Sequence, residues 1–284
     1  MLQHIVMPTD GSAESEKPLT FATQLARAND AQLTLMRVVE EMVYTADEDA
    51  LNTVEMYQQY EQVTQDMARQ AQSEVHALAQ RLQAEGIRAR AEVRRGNPSG
   101  DLLDYIDEEH PDLVVMATHG RTGLARFTLG SVADRIIREG SAPVLVTRRS
   151  LEATGRLEHG LVMLDGSGVA EEVIPLVTEL AGKPFQRLTL YRVVNNPRNQ
   201  GAATTYLEGV AGQLQDRGAT IELKVDVGDA RANVERVGKD VDVVILCTHG
   251  RTGFDRLRHG SVAEHVIQNI DHPALLVRAG VHKA

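Results

Sequence analysis

The sequence predicts an α/β protein built from two tandem open parallel five-stranded sheets with helices on both faces. Three observations support this: short apolar runs alternate with helical segments, the whole pattern occurs twice, and 284 residues suffice for two domains with their own cores. Strand–helix alternation implies right-handed crossovers and a parallel sheet that is covered on both faces. We expect one domain at residues 1–149 and a second at 157–284, joined by a polar linker.

The repetition is visible as short identical segments. Their first copies are Asp10–Ser12, Arg37–Val39, Thr118–Gly123 and Gly130–Ala133, and their second copies are Asp165–Ser167, Arg192–Val194, Thr248–Gly253 and Gly260–Ala263. The first two pairs lie 155 residues apart, as Asp10 and Asp165 do, whereas the last two lie 130 residues apart, as Gly130 and Gly260 do. Repeat one therefore carries an additional block after its second strand. We expect a long helical stretch there, from about Ala50 to Glu85, that packs on the sheet or covers a site as a lid.

The strands are predicted from apolar runs bounded by turn residues. In repeat one they are His4–Pro8, Gln32–Val39, Arg88–Arg94, Asp112–Ala117 and Pro143–Thr147, and in repeat two Gly160–Leu164, Arg187–Val194, Thr220–Asp226, Asp242–Cys247 and Ala274–Arg278.

Composition excludes several classes of function. The formal net charge of −10 gives no basic face for nucleic acid and disfavours binding to anionic membrane surfaces. No apolar run is long enough for a membrane span, and the first residues lack a signal-peptide pattern. The single cysteine, Cys247, cannot form an internal disulfide. We expect a cytoplasmic protein with no nucleic-acid or membrane partner.

The loop after each fourth strand has the composition of a phosphate site. Glycine lets the backbone approach a ligand closely, and the helix that follows directs unpaired N–H groups and its positive dipole end at the loop. The residues concerned are Gly120, Gly123, Gly130 and Ser131 in repeat one and Gly250, Gly253, Gly260 and Ser261 in repeat two.

A purely structural alternative exists for these positions. Ser131–Asp134 and Ser261–Glu264 both match the capping-box pattern, so the two serines could simply cap helices, and Asp10 could cap the first helix. The sequence contains neither a P-loop nor a complete Rossmann glycine triplet. It also lacks a cysteine–histidine cluster with metal-ligand spacing and a nucleophile elbow. We therefore predict no catalytic residue and no metal ligand.

The spacing of Gly120, nine further residues, Gly130 and Ser131 resembles the glycine loop of ATP-binding universal stress proteins. The opening segment Val6–Ser12 and the closing strand Pro143–Val146 are similar to that family as well, and the resemblance covers nearly the whole chain twice. It implies an adenine nucleotide alpha hydrolase-like fold with sheet order 3-2-1-4-5 and a nucleotide at the switch point between strands one and four.

The resemblance also assigns roles. Asp10 and Asp165 would contact the adenosine, Val38 and Val193 would form the adenine wall, and Gly96 and Gly228 would lie on the same rim, while the glycine loop with Val132 and Val262 would hold the phosphates. One departure is that Ala117 and Cys247 stand where the ATP-binding pattern often has a further glycine.

Three functions remain open at this point. The first is a stress-response module that binds ATP or a related adenine nucleotide. The second is a slow nucleotide hydrolase in which Asp10 would hold Mg²⁺ and position a water molecule. The third is a nucleotide-free interaction protein. The resemblance further implies that the two repeats pair with each other through their last strands, and a homodimer of the whole chain is compatible with it.

Overall fold

The computed structural model describes residues 2–41, 53–118, 129–148, 155–248, 261–269 and 272–280. Within these ranges the chain alternates between strands and helices as expected. Repeat one contains β1 (His4–Pro8), α1 (Ala13–Glu16), α2 (Leu19–Asn29), β2 (Gln32–Glu40), α3 (Thr53–Ala84), β3 (Ala89–Gly96), α4 (Pro98–Glu109), β4 (Leu113–Ala117), α5 (Ser131–Glu139) and β5 (Val144–Thr147).

Repeat two follows the same order with a shorter insert. Its elements are β6 (His159–Met163), α6 (Gly168–Glu171), α7 (Ile174–Leu180), β7 (Arg187–Val194), a 3₁₀ turn (Pro197–Asn199), α8 (Gln200–Gln213), β8 (Thr220–Val227), α9 (Ala230–Gly238), β9 (Val243–Thr248), α10 (Ser261–Asn269) and β10 (Ala274–Arg278). The predicted strands agree with these bounds to within two residues.

The ten strands form one continuous sheet of order β3-β2-β1-β4-β5-β10-β9-β6-β7-β8. Each half has the expected order 3-2-1-4-5, and the two five-stranded halves are joined into a single sheet through their last strands, as the resemblance implied. β5 and β10 pair antiparallel, with Leu145 opposite Leu275. Because both strands are short and buried, this pairing satisfies backbone groups that would otherwise form two unpaired edges.

A hydrophobic core lies on each face of the sheet. One core packs α2, α3, α7 and α8 against the strands, and it includes Phe21, Val75 and Leu207. The other packs α4, α5, α9 and α10 against the opposite face, and it includes Tyr105 and Ile136. Alternate residues of a buried parallel strand point to opposite faces, which explains why the central strands are apolar throughout.

Local sequence signals account for the helix ends near the site. Asn97 is the N-cap of α4 and its Oδ1 accepts a hydrogen bond from the Gly100 N–H at 2.9 Å, while Pro98 occupies the first turn. The carboxyl end of α4 is His110 in the left-handed conformation, at φ 45°.

The long helix α3 is the main difference between the repeats. Its carboxyl-terminal half is buried on the sheet through Val75, Ala79 and Leu82. Its amino-terminal half reaches the carboxyl end of β3, where Glu61 forms an ion pair with Arg95 at 3.0 Å. The residues of α3 before Glu61 therefore extend past the carboxyl edge of the sheet. This is the edge at which open α/β sheets bind their ligands. Among the described helices, none combines the length and the apolarity that a membrane span requires.

Candidate functional site

The switch point of the first half-sheet lies between β1 and β4. The two strands pair at Ile5 with Leu113 and at Val6 with Val114, whereas β1 continues to pair with β2 as far as Pro8. Beyond Val6, β1 therefore pairs with β2 on one side but no longer with β4 on the other. Repeat two has the same arrangement, because the pairing of β6 with β9 ends at Val162 and Ile245. Open parallel sheets bind ligands at such points.

Asp10 forms a turn immediately after β1. Its Oδ1 accepts hydrogen bonds from the Ser12 N–H at 2.9 Å and from the Ser12 Oγ at 2.6 Å. Ser12, and not Asp10, is the N-cap of α1, since its Oγ accepts from the Ser15 N–H at 3.2 Å. Asp10 therefore shapes the loop before the helix rather than capping the helix itself.

Two hydroxyl groups reinforce this turn in repeat one. The Gly11 N–H donates to the Thr9 Oγ1 at 3.0 Å, and the Asp10 N–H donates to the Ser15 Oγ at 3.2 Å. The two hydroxyl oxygens lie 2.9 Å apart, within hydrogen-bond distance of each other. The turn is thus tied to both β1 and α1.

The corresponding turn in repeat two has fewer side-chain bonds. Asp165 Oδ1 accepts from the Ser167 N–H at 2.8 Å, as Asp10 does from Ser12. However, Leu164 and Ala170 stand at the positions of Thr9 and Ser15, so both reinforcing hydroxyls are missing.

Gly130 is the N-cap of α5, with φ −63° and ψ 150° and no side-chain cap hydrogen bond. Ser131 is the first helical residue, so the interpretation that Ser131 caps this helix is not supported. The Gly130 N–H donates to the Thr118 carbonyl at 2.8 Å, which brings the two ends of the glycine loop together beside β4. The first N–H groups of α5, from Ser131 onward, have no acceptor within their own helix.

Several predicted residues lie outside the described parts of the chain. Gly120 and Gly123 fall in residues 119–128, and Gly250, Gly253 and Gly260 fall in residues 249–260. Ser261 begins α10.

The predicted adenine-wall valines lie on one face of the sheet. Val38 and Val132 both pack, partly buried, against the core formed with α4 and α5, and Val193 and Val262 pack against its continuation in repeat two. The structure thus places the predicted wall and the start of the helix after the glycine loop on the same side in each half.

Two glycines lie at the ends of the third strands. Gly96 is the last residue of β3 rather than the first of the following turn, and its φ of 145° is one that side chains rarely adopt. Its carbonyl accepts from the Glu41 N–H at 3.2 Å. Gly228 directly follows β8 at φ 122°, and its N–H donates to the Val194 carbonyl at 2.9 Å. Both lie at the carboxyl edge of the sheet.

An arginine contact at each turn was not predicted. The guanidinium of Arg37 on β2 lies against Gly11, and that of Arg192 on β7 lies against Gly166. The available signal was the common spacing, because each arginine follows its glycine by 26 residues, from 11 to 37 and from 166 to 192.

The chemistry of Cys247 is that of a protonated thiol. Burial, followed by the negative charges of Glu172 and Asp165, raises the pKa of Cys247 to about 12. A thiol in this state is a poor nucleophile at neutral pH.

Nothing in the described residues provides a preformed metal centre, because they contain no group of three or more histidine, cysteine or acidic side chains suited to a metal ion. Asp10 could offer a carboxylate oxygen to Mg²⁺, and the remaining ligands would then have to be phosphate oxygens and water.

Comparison with known proteins gives a consistent result. The model of the universal stress protein family matches residues 1–148 and again residues 158–278. A universal stress protein of Synechocystis is 25% identical over 300 residues, covering 98% of this chain and all of that protein. One from Mycolicibacterium smegmatis is 22% identical over 303 residues, covering 96% of each chain.

A solved structure agrees at the level of the fold. The crystal structure of a universal stress protein from Archaeoglobus fulgidus matches with a TM-score of 0.75 and 18% identity, over 97% of this chain and 98% of that one. The double family match, the full-length relatives and the shared architecture together show that this chain belongs to the universal stress protein family, with two family domains in tandem.

Proposed function

We propose that the protein is a regulatory module of a cytoplasmic stress response that binds ATP or a related adenine nucleotide in each of its domains, at residues 1–149 and 157–284. The observation that carries the proposal is the position of Gly130. A residue without a side chain occupies the N-cap of α5, and its N–H closes the glycine loop onto Thr118. This leaves the amide groups of the first helical turn available to an anion beside the switch point.

The remaining residues suit the other parts of a nucleotide. Val38 and Val193 offer apolar surface for a base, and the carboxylates of Asp10 and Asp165 can accept hydrogen bonds from hydroxyl or amino groups of an adenosine. The net charge of −10 means that an anionic ligand must be attracted by local N–H groups and the helix dipole rather than by the protein as a whole.

Binding is favoured over hydrolysis by the state of the site's carboxylate. Oδ1 of Asp10 already accepts two hydrogen bonds from Ser12, a structural task. The described residues offer no second carboxylate or histidine grouped with it as a metal site. Mg²⁺ would therefore enter with the phosphates of the nucleotide, with Asp10 as one ligand at most.

Identification of the bound molecule tests the proposal. The purified protein is denatured, the released small molecules are identified by mass spectrometry, and ATP is then titrated into ligand-free protein. We expect an adenine nucleotide to be released or to bind with defined stoichiometry. ADP that accumulates with steady turnover would support the hydrolase instead, and the absence of any released or titratable nucleotide would support the interaction protein. The Gly130→Val/Gly260→Val double variant is the matched control for adventitious nucleotide.

A further inference from the structure

The guanidinium of Arg37 covers the open side of Gly11. A Cβ built on Gly11 would lie 2.7 Å from Nη1 of Arg37 and 3.0 Å from its Cζ, so the guanidinium occupies the space that a side chain would take. Gly11 has a φ of 76°, in the left-handed region that favours glycine. The side chain of Arg37 is 11% exposed, so the contact is well shielded from solvent.

Repeat two contains the same contact. A Cβ built on Gly166 would lie 2.7 Å from Nη2 of Arg192 and 2.8 Å from its Cζ, and Gly166 has a φ of 88°. Both contacts join the second strand of a half-sheet to the turn after its first strand, and each turn carries the predicted adenosine-contacting aspartate one residue earlier. An equivalent geometry in two diverged repeats indicates a function of the arginine at this turn.

The two arginines are held by different partners. Arg37 forms an ion pair with Glu74 of α3, the helix that is much longer in repeat one. Arg192 lies over the ring of Tyr206 of α8, with its Cζ 4.9 Å from the ring centroid. Among the residues that the structure describes, no carboxylate oxygen lies within ion-pair distance of Arg192. Repeat one thus anchors its arginine by charge, and repeat two by a cation–π contact.

The turns depend on these arginines to different degrees. The first turn is also held by the Thr9 and Ser15 hydroxyls, which accept from the Gly11 and Asp10 N–H groups. The second turn has Leu164 and Ala170 at those positions and retains the bond from Ser167 to Asp165. Loss of the arginine should therefore loosen the second turn more than the first.

We propose that Arg37 and Arg192 are positioning residues that fix the aspartate turns of the two nucleotide sites, and that site two depends on its arginine more strongly than site one. The effect of the arginines on nucleotide binding rests on the proposed function, whereas their effect on the turns does not. Each arginine also connects its site to the helix that follows the second strand of that half, because Glu74 of α3 holds Arg37 and Tyr206 of α8 holds Arg192.

The first experiment compares Arg37→Met with Arg192→Met in the full-length chain. Exchange of the Ser12 and Ser167 amide protons with water is measured by NMR magnetisation transfer, which suits amides in exposed turns. We expect Arg192→Met to accelerate exchange at Ser167 by roughly two- to fivefold, the factor that a cation–π contact supports. Arg37→Met should change exchange at Ser12 by a smaller factor. Arg187→Met, at the opposite end of β7, is the matched control and should leave the exchange rate of the Ser167 amide unchanged.

The second experiment tests the anchors. Tyr206→Phe keeps the aromatic ring and should preserve the exchange rate of Ser167, whereas Tyr206→Leu should behave like Arg192→Met. These changes in amide exchange should be confined to one turn and should appear without a change in the urea midpoint of the whole protein. A residue with a merely structural role would instead shift the urea midpoint. Glu74→Gln should change the exchange rate of the Ser12 amide and leave that of the Ser167 amide unchanged.

The third measurement is calorimetric titration of ATP into the same variants. Arg192→Met should weaken site two by a factor similar to its effect on exchange. Unchanged exchange at Ser167 in Arg192→Met, or a larger effect at Ser12 in Arg37→Met, would overturn the inference even if ATP binds normally. If no variant and no parent protein binds ATP while the exchange pattern holds, the proposed function fails and the positioning role stands.

Discussion

Arg148, directly after β5 in repeat one, donates hydrogen bonds from Nε and Nη2 to the backbone carbonyl of Ile267 in repeat two, at 3.1 and 2.8 Å. Ile267 lies in the last turn of α10, where carbonyl groups lack helical partners and the helix dipole is negative. Arg278, at the end of β10, makes the reciprocal contact, because its Nη1 donates to the Arg138 carbonyl of α5 at 2.9 Å. Two arginine contacts of similar geometry thus flank the β5–β10 junction.

The first prediction is that these arginines couple the two repeats. Arg148→Met should lower the free energy of unfolding by about 1.5 kcal/mol or more, because it removes charged donors from a partly buried carbonyl. In urea unfolding, the double variant Arg148→Met/Arg278→Met should broaden or split the transition as the repeats begin to unfold separately. Arg156→Met, at an exposed ion pair with Glu158, is the control and should have little effect. A double variant as stable and as cooperative as the parent would contradict this role.

Much of the fold could be predicted because the strands are local patterns. The apolar run Arg187–Val194 coincides with β7, and the repeated segments place the same order of elements in both halves. The pairing of the repeats through their last strands was also expected. The antiparallel register of that pairing was not, since Leu145 and Leu275 lie 130 positions apart and carry no local signal for each other.

The candidate site was predicted in part. Gly130 and Asp10 lie at the carboxyl edge as expected, because glycine spacing and turn residues are readable in sequence. The capping-box pattern left open whether Ser131 caps the helix, and only the extended backbone of Gly130 shows that Ser131 is the first helical residue of α5. The contacts of Arg37 with Gly11 and of Arg192 with Gly166 were not predicted. They depend on which face of β2 or β7 carries the arginine side chain and on how a turn from another segment lies against that face.

The second prediction concerns acid stability. His4 and His159 are partly buried, with their Nε2 atoms 2.9 and 2.8 Å from the hydroxyls of Thr34 and Thr189. Burial, followed by the charges of Arg90 and Arg187, lowers the pKa of each histidine below its ordinary value. Because the folded pKa lies below the unfolded one, their stabilisation is complete above about pH 6.5 and is lost as the pH falls through the folded pKa.

Urea unfolding at pH 7 and pH 5 measures this effect. In the His4→Gln/His159→Gln variant, the free energy of unfolding should fall less between pH 7 and pH 5 than in the parent protein. His76→Gln, at an exposed histidine on α3 that contacts Gln72, is the control for replacing a histidine by glutamine. An unchanged pH dependence in the double variant would show that other groups determine acid stability.

The third prediction is that site two binds the nucleotide more weakly than site one. The segment before Asp165 is Met163-Leu164 instead of Pro8-Thr9, and α8 has 14 residues where α3 has 32. A helix that extends past the rim can exclude water and slow release, so its absence should chiefly raise the dissociation rate. Stopped-flow release of nucleotide from Gly130→Val, which keeps site two, should therefore be faster than from Gly260→Val, which keeps site one. Equal rates, or slower release from site two, would refute the asymmetry.

Calorimetric titration of ATP into Gly130→Val measures whether an adenine nucleotide binds where the glycine loop meets α5. The backbone of Gly130, at φ −63° and ψ 150°, is open to any residue, so the substitution should leave the fold intact. A valine there would obstruct phosphate from the amide groups and remove contacts worth roughly 1.5–3 kcal/mol each. We predict that the parent binds ATP at site one and that Gly130→Val, with an unchanged thermal unfolding temperature, does not. Binding to site one of Gly130→Val as tight as in the parent would contradict it.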